Sequence, residues 1–121
     1  MPTEYTNLVA ALKALTQGET PNIRTLPMAE NEWNTRPDAD SYGVVTLDFE
    51  VDALHGDNLK QVTAYEGSID LFSLVKGGAG WIELIAQTLT EHCEGAWSLN
   101  SCQYERETGL FHWEWSFQIE E

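Results

Sequence analysis

Apolar and polar residues alternate with period two along several stretches of this chain, and each such stretch predicts a strand with one buried and one wet face. Between Gln61 and Leu74, Tyr65, Gly67, Ile69 and Leu71 share one side, and Glu66, Ser68 and Asp70 share the other. Val44 to Leu54 repeats the pattern, with Val45, Leu47, Phe49, Val51 and Ala53 opposed to Thr46, Asp48, Glu50 and Asp52. The cleanest alternation runs from Leu110 to Glu120. There Phe111, Trp113, Trp115, Phe117 and Ile119 point one way, and His112, Glu114, Ser116, Gln118 and Glu120 the other. Ala96 to Arg106 reads as a partner strand with Trp97 and Leu99 on one face, joined to the last strand by a hairpin turn at Glu107-Thr108-Gly109. His55-Gly56-Asp57-Asn58 is a further turn signal, making the strands on either side of it antiparallel neighbours.

Two stretches change to helical period. Trp81, Ile82, Ile85, Ala86, Leu89 and Cys93 form one apolar stripe, stopped by Gly95. Lys76-Gly77-Gly78-Ala79-Gly80 separates this helix from the strand before it and reads as a flexible connection. Near the start, Tyr5, Leu8, Leu12 and Leu15 recur at helical spacing from Thr3 to Leu15, with Val9 alongside and Gly18 as an end signal. Asn22 to Leu26, bracketed by Pro21 and Pro27, reads as a short edge strand. Pro27 to Tyr42 is polar and proline-interrupted, and carries Trp33 without periodic apolar company. A loop of that length has a job or is disordered, and its tryptophan either folds back onto the core or meets a partner subunit. The elements sum to one α+β domain over residues 1–121, in the order α-β-β-β-α-β-β. A mostly antiparallel sheet of four to five strands is covered on one face by two helices.

Charge sharpens this picture. Twenty acidic and 6 basic residues give a formal net charge of -14 over 121 residues. Such a surface is soluble, repels phosphate-rich partners or imitates them, so no direct affinity for nucleic acid is expected. Asp48, Glu50, Asp52, Glu66 and Asp70 are expected on one continuous acidic sheet face, where water screens them. The chain's start shows neither a positive run nor an apolar core of a signal peptide, and no apolar run is long enough to span a bilayer. No membrane partner is expected. Cys93 and Cys102 lack the spacing of a redox or metal pair, and a reducing compartment fits them.

No pattern of residues names a reaction. The glycines at 77–80 match neither phosphate-loop fingerprint, and their lysine precedes them. Carboxylates at period two along a flat strand do not converge on a cation. His55, His92 and His112 have no second histidine at ligand spacing, and no Gly-x-Ser-x-Gly elbow occurs. The tryptophans lie beside acids such as Glu83 and Glu114 rather than cations, which favours core packing over base stacking. No catalytic residue, cofactor or metal is expected.

This sequence of elements resembles the small tail-terminator or tail-completion proteins of long-tailed bacteriophages and prophages. The likeness lies in five features: the helix Thr3 to Leu15; the irregular segment Pro27 to Tyr42 leading into Val44-Val45-Thr46-Leu47; the strand Tyr65-Glu66-Gly67-Ser68-Ile69-Asp70-Leu71-Phe72; the helix Trp81 to Cys93; and the closing hairpin at Gly109 with Phe111-x-Trp113-x-Trp115-x-Phe117. The last strand is richer in tryptophan than that family's pattern. The resemblance implies a non-catalytic virion assembly protein, cytoplasmic during assembly and then part of the tail. It would close into a homo-oligomeric ring, a hexamer, that caps the tail-tube protein and docks the head connector. The projecting segment suits a closing head-to-tail interface, with Trp33, Arg36, Asp38 and Tyr42 as candidate contacts. The alternative from the same charge is an acidic DNA mimic or immunity-type inhibitor of a nucleic-acid enzyme.

Overall fold

Why the first element is a helix follows from its stripe: Tyr5, Leu8, Val9 and Leu12 all fall on one side of an α-helix, α1 (Thr3–Lys13), and all four are buried. The computed structural model describes residues 3–55 and 60–120, and of 49–55 and 60–63 the backbone course alone. The turn signal at Gly56-Asp57-Asn58 lies outside the described residues. Two short strands, β1 (Thr16–Gln17) and β2 (Arg24–Thr25), pair antiparallel around Gly18, whose φ of 92° requires glycine. The main sheet contains β3 (Met28–Glu30), β4 (Ser41–His55), β5 (Lys60–Ser73), β6 (Trp97–Glu105) and β7 (Leu110–Glu120). The second helix, α2 (Trp81–Cys93), stands between β5 and β6.

The strand order is β3-β4-β5-β7-β6, antiparallel throughout except for the parallel pair β3 and β4. β7 is last in the chain yet sits between β5 and β6. Those two run in the same direction, since each is antiparallel to β7, so α2 is the crossover that carries the chain across the sheet. Its crossing buries Trp81, Ile85, Leu89 and Cys93. Together α1 and α2 roof Val45, Ile69, Leu71, Trp113, Trp115, Phe117 and Ile119 in one apolar core. The α+β class and the helix-roofed, mostly antiparallel sheet agree with the sequence reading, whereas the short strand expected at Asn22 to Leu26 is only Arg24–Thr25 and pairs with β1 outside the main sheet.

Three further features depart from the sequence reading. First, Met28–Glu30 is a strand, not loop. It joins β4 through Gly43 N–H to Pro27 O and Asn31 N–H to Val45 O, both at 2.8 Å. Parallel neighbours need a return connection, so the length of the segment 31–40 is set by topology. Second, β4 has a bulge at Asp48: Leu47 faces Gly67, but Phe49, not Asp48, faces Glu66. One inserted residue shifts the register of β4 against β5, so Asp48 itself stands outside the ladder and faces no residue of β5. The side chains of Glu50 and Asp52 lie outside the described residues. Third, the glycine connection is pinned. Gly77, Gly78, Ala79 and Gly80 all have positive φ, and Gln17 Nε2 donates to Ala79 O at 2.9 Å.

Gly67 marks the tightest approach in the core. A methyl there would overlap the Phe117 ring and the Thr46 carbonyl oxygen, and the latter is fixed backbone. Gly67→Ala is expected to cost about 1–3 kcal/mol by overpacking, read as a lowered denaturant midpoint. Trp115→Ala empties the largest fully buried site and is expected to cost about 3–5 kcal/mol, whereas Leu99→Ser on exposed β6 shifts stability by less than about 0.5 kcal/mol. Equal effects of the last two would contradict this placement of the core.

Candidate interaction site on the open face of the sheet

The face that the helices do not cover is ordered into cross-strand rows. Nearest the start of β4, Tyr42 pairs with Phe72, Phe72 with His112, and His112 with Gln103. Their rings form a continuous stack. Tyr42 and Phe72 lie 5.0 Å apart at 18°, and Phe72 and His112 lie 4.3 Å apart at 21°. Offset stacking of this kind is favourable beyond the area it buries. Trp33 extends the row from the segment 31–40, meeting Tyr42 edge-on at 6.3 Å and 88°. Its indole N–H donates to Gly43 O at 2.9 Å, which holds the segment down, as does the Leu74 N–H to Asp40 O bond at 2.8 Å. The Arg36 guanidinium lies 5.6 Å from the Tyr42 ring centre, a cation over an aromatic face.

At the far side of the stack His112 stands between two acids. Its Nε2 is 2.7 Å from Asp70 Oδ1, a hydrogen bond, and its Nδ1 is 3.6 Å from Glu105 Oε2. Asp70, on β5, and Glu105, on β6, are thereby tied to the strand between them. Beyond comes a row of small hydroxyls, Thr46, Ser68, Ser116 and Ser98, in register across four strands. Asn100, the unpaired residue of a bulge in β6, bonds both Ser98 and Ser116. Glu66 and exposed Asp48 stand at the next level, on the rim of a shallow depression of ≈ 330 Å³.

The expected contact residues therefore divide. Trp33, Arg36 and Tyr42 are brought together, and Asp38 lies exposed on the same segment. Of the acids, Asp70 belongs to the histidine cluster, Glu66 is half-buried, and Asp48 occupies the bulge. Phe72, His112 and Glu105 join the site without having been singled out. Phe72 shares the polar parity of Glu66, Ser68 and Asp70, so an aromatic on the wet side was a visible signal.

Charge is uneven along the strand axis. Arg24, Arg36, Lys76 and Arg106, interspersed with Asp38, Asp40, Glu105 and Glu107, stand at the end marked by Ser41, Ser73 and Leu110. Glu4, Glu94 and Glu120 line a hollow of ≈ 450 Å³ at the other end, beside His92. Among the described residues no three His, Cys, Asp or Glu side chains converge to hold a metal ion, and no helix is long and apolar enough to cross a membrane. Two shifted groups lie in the core. Burial first, then the nearby Glu30 carboxylate, holds the Tyr5 phenol well above its ordinary value, and burial pushes the Cys93 thiol up to about 11.

Of the two cysteines Cys93 is buried and Cys102 exposed. A disulfide reagent near pH 8 is expected to label one thiol in the native protein and two after denaturation. Because the folded Cys93 pKa lies above the unfolded one, its contribution to stability is intact below the ordinary thiol range. That contribution is lost as the pH rises from there toward about 11. Two fast-reacting native thiols would contradict the burial of Cys93. Compared with known proteins, the chain matches no family model and no curated sequence.

Proposed function

We propose that the chain is a non-catalytic assembly protein that closes head-to-tail into a ring, of the kind that caps a phage tail tube and joins it to the head connector. One observation carries this reading: the two edges of the sheet are unlike. One side presents β3 and the pinned segment with Trp33, Arg36 and Asp38. The other presents β6, with Leu99 47% and Tyr104 55% exposed. Unlike patches that join copy to copy make heterologous contacts, which close into rings when the rotation permits. The uneven charge along the strands would give such a ring two different ends, suited to two different neighbours. The carboxylates grouped at the acidic end would repel passing DNA phosphates.

A second reading has its own support in the acid-lined hollow of Glu4, Glu94 and Glu120, with Asp48 and Glu66 at the same end of the sheet. Carboxylates grouped on one end would serve an acidic mimic that blocks a basic nucleic-acid enzyme.

Native mass spectrometry and sedimentation at rising concentration, with and without tail-tube protein, separate the two. A closed oligomer that binds tube ends and stops their growth is the expected result. A strict monomer that ignores tubes overturns the ring. A monomer that binds a basic nuclease, with affinity falling steeply as salt rises, favours the mimic instead.

A further inference from the structure

The cross-strand register places two chemically matched patches at one height on opposite sides of the sheet. Tyr42, Phe72, His112 and Gln103 stand in line, so the Arg36 guanidinium over Tyr42 is level with the β6 end that carries Tyr104 and Glu105. Three strand spacings, roughly 14 Å, separate β4 from β6, so the patches do not meet within one chain. Rotation about an axis parallel to the strands preserves height and carries one patch to the other. We propose that the C-terminal end of β6 docks on the 31–40 segment of a second copy, pairing Glu105 of one copy with Arg36 of the next, and Arg106 with Asp38. This rests on the ring reading and names its junction.

Charge selects the second copy as occupant. The segment presents Arg36 and then Asp38, flanked by Glu32 and Asp40, and the β6 end presents Glu105 and then Arg106, followed by Glu107. Each cation can therefore find an acid across the contact. From Trp97 to Tyr104 β6 has no charged residue. It also lacks the lysine and proline that guard exposed edges, leaving Asn100 at the bulge as its one guard. Copies that each carry -14 repel over most of their surface. This neutral strand is a flank where they can approach.

Charge reversal tests the junction. R36E and E105R are each expected to raise the concentration at half-assembly by about tenfold or more, since each puts like charges together. The double variant R36E/E105R, and an equimolar mixture of the two single variants, are expected to recover assembly to within about threefold, as a head-to-tail contact requires. Circular dichroism and thermal melts confirm that each variant folds. D38R and R106D, at exposed positions remote from the His112 cluster, form a second reversible pair should E105R disturb that cluster. A double variant no better than its parents, or singles that assemble like the wild type, overturns this junction and leaves the ring standing. A wild type that stays monomeric at all concentrations, with and without tube ends, overturns both.

Discussion

Everything in this fold is arranged to bury one side of β7. Trp113, Trp115, Phe117 and Ile119 project from a single strand, and water-exposed they would carry a large unfavourable apolar surface. A strand with so apolar a face is best placed where sheet and helices close over it from both flanks. The chain achieves this by laying β5 first, crossing with α2, setting β6 at the edge, and threading β7 into the gap. The roof of α1 and α2 then rests on the tryptophans. Gly67, which leaves room for Phe117 beneath that roof, is part of the same constraint.

The open face follows from this choice. With the helices committed to the apolar side, the opposite side is left to short-range packing between neighbouring strands. Aromatic rings stack where the return segment shelters them, from Trp33 to His112, and hydroxyls and carboxylates occupy the levels beyond. The half-sheltered carboxylates of Asp70 and Glu105 both lie against the His112 ring, and Asp70 is hydrogen-bonded to it. Where water reaches freely, as at Asp48, the acid has no such need. The lateral sides are unlike for an equally simple reason. One ends in a three-residue parallel strand and its return loop, the other in a nine-residue antiparallel strand.

Much of this architecture was legible in the residues themselves. The alternation in β5 and β7 and the stripes of α1 and α2 follow from two local periods, and local period depends on neighbours in sequence. Gly95 ends α2 as its position suggests, with φ of 85°, and the hairpin turns at Gly109, with φ of 74°. The strand Met28–Glu30 was hidden because three residues carry no period, and its partner lies across a return loop. The bulge at Asp48 was hidden for a related reason. Asp48 continues the alternation of β4 without a break, and only pairing with β5 shows that one residue is supernumerary.

The candidate site divides along the same line. Trp33, Arg36 and Tyr42 were recognisable as residues without a place in the core pattern, which is a property of their own segment. Their meeting with Phe72, His112 and Glu105 joins residues up to about seventy positions apart, and no local signal encodes such a distance. The sequence by itself determined which side of each regular element is oily and where the chain must turn, because those depend on side-chain chemistry at fixed spacing. The tertiary structure alone decided strand order, register and the row that crosses the sheet, because hydrogen-bond pairing between distant strands is set by how the whole core closes.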